Sequence, residues 1–328
     1  MLPTAELHRR LERSLAYAPG YGPGYSNHLP MALHAAWQLG ADAARLDAQL
    51  RHDGAWLAPA PAGEDAAPGD DWRALLGRRE AYAALRARFA AEIGARGAEA
   101  CLRDALPLLV SAPHAGLFHG MIRSAHALEA GHADELAAAL ASWALAWQPL
   151  PGGRADGVPL ALDAWRAALD AQAAAPAQRL RGERLVDVAR GPAYAGLCDA
   201  LAPAAHWAVR REQLLGLALD AYLASGNFVV LHLITGLRAL RVLGALVPEG
   251  PDVPVWLTRA FAAAWLAAGM TPRPRSGRPP PDWPALQRAA LAQLDDHALK
   301  LTHACWQEDR LRADPRWREA AALGLGLA

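Results

Sequence analysis

Residues 227–247 read NFVVLHLITGLRALRVLGALV, and the fold class turns on what that run is. It alone approaches the length of a membrane-spanning helix, but His232, Arg238 and Arg241 interrupt it, and charged groups at a bilayer centre are costly. It reads instead as a helix buried inside a protein. Working outward, Ala and Leu dominate, apolar positions recur at spacings of three and four, and period-two strand patterns are almost absent. The expectation is an all-α fold, one large multi-helical domain over residues 1–328 with a buried site between helices. Spacing predicts helices near 5–17, 29–51, 72–97, 98–110, 116–131, 134–147, 159–175, 206–224, 227–246, 254–268 and 284–311. Pro- and Gly-rich stretches at 57–71, 149–159, 247–254 and 271–284 interrupt them, and the last reads as an extended surface connector.

Composition narrows the partners. Lys and Arg together number 33, as do Asp and Glu, so there is no electrostatic footprint for nucleic acid or an anionic membrane, and neither is expected. Cys101, Cys198 and Cys305 stand far apart without a C-x-x-C spacing and read as buried free thiols in a reducing compartment. The N-terminal stretch reads as an amphipathic helix and not as a secretory signal, so a cytoplasmic protein is expected.

The chemistry sits on a few polar residues in apolar surroundings. His232, inside FVVLHLITG, must find hydrogen-bond partners or a metal, since an unsatisfied buried group costs about 1–3 kcal/mol. His28 lies at a helix entrance, in YSNHLPMALH, where Ser26 or Asn27 can cap and Pro30 fits the first turn. His34 follows on the same helix and reads as a half-buried histidine. His119, Arg123 and His126 share a helix face, which serves equally as a hydrogen-bonded seam or as a ligand with an anion contact.

In QLDDHALKLTHACWQE, residues 293–308, His297 occupies an apolar stripe running Leu286, Ala290, Leu294, His297, Leu301, Ala304, and Lys300 is the only lysine of the chain. Lys300 is either a solvated partner of Asp296 or part of a metal site, and an ammonium cannot bind a cation. It can join such a site only as a neutral amine or as a carbamate formed with carbon dioxide. His28, His119, His232 and His297 thus lie on four different predicted helices, the way ligands converge inside helical bundles.

Four segments, GYSNHLPMALHAAWQLG, LFHGMIRSAHALEAG, NFVVLHLITGLRALR and DDHALKLTHACWQE, resemble the questin oxidase family in residues and order, across most of the chain. Fungal relatives open an anthraquinone ring with dioxygen. They were first described as NADPH-linked enzymes of Baeyer–Villiger type, and more recently as non-haem iron proteins with four histidines and a carbamylated lysine. The resemblance implies His28, His119, His232 and His297 as iron ligands and Lys300 as the modified lysine, with His114 and His126 close enough to compete with His119. It implies a small aromatic substrate and dioxygen as partners, Arg123 or Arg238 as stabilisers of a substrate anion, and Asp296 as an orienting group. NADPH is possible, but no glycine-rich fingerprint after a strand marks a site for it. Two rivals remain: a metal-dependent hydrolase or lyase with the same ligands, and a non-catalytic helical protein that binds a small molecule.

Overall fold

A computed structural model describes residues 2–22, 24–61, 71–153, 157–173, 183–274, 277 and 279–327. Among them are α1 (Thr4–Ser14), a hairpin of β1 (Gly20–Tyr21) and β2 (Tyr25–Ser26), α2 (Leu29–Gln38), α3 (Ala43–Gly54), α4 (Tyr82–Arg96) and α5 (Ala98–Leu109). There follow α6 (His119–Ala130), α7 (Ala133–Leu145), α8 (Leu162–Gln172), α9 (Glu183–Val188), α10 (Pro192–Leu197) and α11 (Trp207–Ser225). The chain continues through α12 (Phe228–Leu243), α13 (Asp252–Ala268), α14 (Trp283–Leu291), α15 (Asp296–Leu311) and α16 (Pro315–Gly324). The fold is all-α.

Four helices close a ring: α2 packs on α6, α6 on α12, α12 on α15 and α15 on α2. Others wrap it, with α3 and α1 on α2, α7 on α6, α11 and α13 on α12, and α14 and α16 on α15. The segment Phe228–Leu246 is long and apolar enough to cross a bilayer, yet 72% of it is buried inside the protein, as the sequence suggests. Asn227 starts α12 by accepting the N–H groups of Val229 and Val230 on its side-chain oxygen. Each fully buried Val, Leu or Ile on α12 contributes about 1.5–3 kcal/mol, whereas burying His232 and Arg238 is a cost that only partners offset.

The helix boundaries differ from expectation where side chains take over the backbone. The segment 29–51 divides at Gly40, whose φ of +97° no β-carbon tolerates easily, and Asp42 caps α3 by accepting the Arg45 N–H. The segment 284–311 divides too, because Asp295 accepts the N–H groups of His297 and Ala298 and so begins a new helix. The apolar stripe through Leu294 and His297 is therefore broken, and His297 stands in a first turn. Residues 72–81 form two 3-10 turns before α4, and α9, α10, α16 and the hairpin were not anticipated. Of the expected loops, 62–70, 154–156, 275–276 and 278 lie outside the described residues.

Candidate metal centre

One end of the helical ring gathers four imidazoles. His28 immediately precedes α2, fixed by Asn27, whose side chain accepts the Leu29 N–H at 3.0 Å and donates to the Ala18 carbonyl at 2.9 Å. His119 opens α6 after three consecutive left-handed residues: Gly116, Leu117 and Phe118 have φ of +60°, +58° and +68°. For Leu117 and Phe118 that conformation costs roughly 1–2 kcal/mol each, which the surrounding packing must hold. It brings the Gly116 carbonyl to 2.6 Å from His119 Nδ1. Gly236 on α12 accommodates the same turn, since a β-carbon there would stand 3.1 Å from the Phe118 side chain.

His232 on α12 has Nδ1 2.8 Å from the Phe228 carbonyl. Asp296 serves two rings: Oδ2 lies 2.6 Å from His28 Nδ1 and Oδ1 lies 2.6 Å from His297 Nδ1. Ring centroids are 4.3 Å apart for His28 and His119, 4.7 Å for His28 and His297, 4.8 Å for His119 and His232, and 5.2 Å for His232 and His297.

A pattern follows for the protons. Carbonyl and carboxylate oxygens only accept, so each Nδ1 donates its N–H and each neutral ring keeps its lone pair on Nε2. The Nε2 atoms of His119, His232 and His297 are buried with no hydrogen-bond partner. The ligand nitrogens of His28, His119 and His297 lie within 4.8 Å of one another. Two nitrogens on one ion at about 2.1 Å stand about 3–4 Å apart, so small side-chain adjustments bring these onto a common metal. The donor set fits a borderline transition ion.

Lys300, one turn after His297, is 2% exposed, and its Nζ has no hydrogen-bond partner. The solvated pairing with Asp296 is thereby excluded. Burial lowers the Lys300 amine from the ordinary lysine range, opposed by the charge of Asp296. An amine so treated is the form that reacts with carbon dioxide. Burial likewise pushes His28 down to about 4 against the pull of Asp296, and pushes His119 and His232 well below the usual range. Burial raises the Asp296 carboxyl, but His28, Lys300 and the hydrogen bonds from His28 and His297 outweigh it and hold the group ionised.

A cavity of about 290 Å³ opens beside His119, lined among others by Tyr21, Tyr25, Met31, His114 and Gly120. The hairpin walls it on one side, with Tyr21 packed edge-on against Trp56 at 4.5 Å. Phe228, 46% exposed, covers the cluster elsewhere, its ring 4.6 Å from His232 and 4.7 Å from His297.

The remaining polar residues take other places. Arg123 lines the cavity but is held by Glu135, through Nε at 2.6 Å and Nη2 at 2.8 Å, and by Ser142 Oγ at 3.1 Å. Arg238 is not brought to the four imidazoles; it pairs with Glu129 and donates through Nε to Gln307 Oε1 at 3.0 Å. His114 faces the cavity, whereas His126 lies further along the bundle, against His34 and His303. His34 is 1% exposed, so the half-buried expectation is corrected: it faces the bundle axis. Sequence reading missed His303, Glu129 and Phe228, although His303 follows Lys300 by three residues and the same helical arithmetic would have found it.

Residues 25–305 match the model of the family described as Questin oxidase-like, a span that takes in α2, α6, α12, the first part of α15 and every residue from His28 to Lys300. No curated protein compared with the chain matches it.

Proposed function

Because the chain belongs to the questin oxidase-like family, we propose that it is a non-haem iron oxygenase that opens a ring of an aromatic polyketide or quinone-type substrate. In this reading His28, His119, His232, His297 and a carbamylated Lys300 hold the iron. The observation that carries it is the tautomer pattern: four rings pinned at Nδ1 by oxygen acceptors, with the unpartnered Nε2 atoms of three of them, His119, His232 and His297, beside an unpartnered buried lysine. Hydrogen-bonded packing alone would leave four buried polar atoms unsatisfied, at about 1–3 kcal/mol each. Four neutral nitrogens and one carbamate oxygen suit an octahedral ion and leave one position for an exogenous ligand. Bound iron would supply the one-electron chemistry that dioxygen needs to react with a closed-shell aromatic ring.

The chain's own residues prepare that reaction. Asp296 and the Gly116 and Phe228 carbonyls fix ring orientation, and outer partners of this kind raise ligand basicity. Tyr21 and Tyr25 offer aromatic faces for a planar substrate, in a cavity near the small end of ligand-pocket sizes. Arg123, already neutralised by Glu135, contributes an oriented N–H more than a free charge. Incorporating both oxygen atoms into a quinol substrate balances without outside electrons. If one oxygen atom leaves as water, two electrons and two protons are needed, which NADPH would provide as a hydride together with one proton from solvent.

The test is dioxygen consumption by iron-loaded protein offered hydroxylated anthraquinones, anthrones and simpler quinols, with products separated by mass. Uptake with a ring-opened acid, abolished in His232→Ala, supports the reading. Turnover of an ester or amide by zinc-loaded protein without dioxygen uptake would replace it with the hydrolase reading.

A further inference from the structure

The same four helices build a second polar layer. His34 on α2, His126 on α6, Arg238 on α12 and His303 on α15 each follow a first-layer residue by six or seven positions, about 10 Å along the bundle. His34, His126 and His303 are 1%, 4% and 0% exposed. Nδ1 of His34 lies 2.8 Å from Nδ1 of His126, and the His303 ring centroid lies 5.3 Å from that of His126 and 5.6 Å from that of His34. Glu129 stands one helical turn after His126, and the ligand atoms of His34, His126 and Glu129 lie within 4.8 Å of one another. Nε2 of His303 lies 2.9 Å from the Gln307 side-chain amide, and His303 Nδ1 is buried without a partner.

We propose that His34, His126, His303 and Glu129 form a second metal site, for a divalent ion of the zinc, iron and cobalt class. Three imidazole nitrogens and one carboxylate oxygen are a four-coordinate donor set for such ions. A His and a Glu three residues apart on one helix face is the way bundles place paired ligands. A hydrogen-bonded seam would have no reason to strand the His303 nitrogen. Binding opens the His34–His126 contact from 2.8 Å to about 3.4 Å, the spacing of two nitrogens on a tetrahedral ion with bonds of about 2.1 Å. It also displaces the proton the two rings share. For His303 to bind through Nδ1 its proton must sit on Nε2, so the Gln307 amide turns its oxygen to accept that proton, while Arg238 keeps Glu129 as its partner. None of the four ligands lines the cavity beside His119, so this ion ties α2, α6 and α15 together and does not meet the substrate.

Cobalt(II) is the probe. Metal-stripped full-length protein is titrated with it, and bound metal is counted by elemental analysis and by visible d–d absorption. Wild type is expected to hold about two ions per chain, and His232→Ala, Glu129→Gln and His126→Gln about one each, since ligand loss abolishes a site. The double variant His232→Ala/Glu129→Gln should hold none, and cobalt should raise the melting temperature of His232→Ala but not of the double variant. Glu129 is partly exposed, so Glu129→Gln keeps the test open should His126→Gln misfold. The proposal is overturned if folded His232→Ala binds no cobalt, or binds it equally with and without Glu129→Gln. Wild type holding one ion that Glu129→Gln removes and His232→Ala retains would support this site while refuting the first.

Discussion

Asp296→Asn is the substitution that most sharply separates an organised metal centre from a packed group of histidines. The carboxylate accepts an N–H from His28 and another from His297, each at 2.6 Å. An amide has one acceptor oxygen and a donating nitrogen, so only one ring keeps its bond. The other must turn away or move its proton to Nε2, which removes the lone pair a metal would use. Outer-partner losses of this kind weaken metal affinity 10–100-fold, about 1.4–2.7 kcal/mol. The assay is an anaerobic competition titration of ferrous iron against a chromophoric chelator, in the Glu129→Gln background so that only the four-imidazole centre is read. Circular dichroism establishes that both proteins are folded. Equal or tighter binding by Asp296→Asn would refute the reasoning, because the Asp296 bridge would then have no part in presenting the nitrogens.

Three further outcomes are expected. Lys300→Met should stabilise the metal-free protein in bicarbonate-free buffer by about 1–3 kcal/mol, since it replaces an unpartnered buried amine with an apolar chain, and should lose iron binding; urea unfolding and metal content check both. Burial pushes His114 down to about 4. Its neutral form is favoured in the folded state, so its contribution is complete above the unfolded value near 6.5 and is lost as pH falls toward 4. His114→Leu should therefore shrink the acid-side loss of unfolding free energy by up to about 3 kcal/mol, measured in urea at pH 7.5 and 4.5. Gly120→Ala would put a β-carbon 2.6–2.8 Å from Trp143 side-chain and backbone atoms and force α6 off α7. Denaturation should show a cost of about 1–3 kcal/mol or more.

The helical ring and much of its first layer were legible where a candidate ligand sits in an unusual sequence context. His232 interrupts an apolar run, His28 stands at a helix entrance, and Lys300 is the only lysine. What could not be read is how backbone and side chains trade hydrogen bonds locally. Asp295 restarts a helix inside an apparently continuous stripe, and residues 116–118 turn left-handed to aim His119, neither of which leaves a periodic trace. Arg238 illustrates a different limit: helical spacing puts it less than two turns past His232 on α12 but cannot say that Glu129 is already taken as its partner. His303 stands between the apolar positions Leu301 and Ala304, and nothing in its sequence context marks how complete its burial is.

The most direct measurement is iron retained after anaerobic reconstitution with and without bicarbonate, in wild type and Lys300→Ala. With a single lysine in the chain, a response to bicarbonate has one side chain to come from apart from the N-terminal amine. The account predicts that wild-type protein gains iron affinity when bicarbonate is added and that Lys300→Ala binds weakly and equally in both conditions. Identical iron binding by the two proteins, indifferent to bicarbonate, would contradict the five-residue centre.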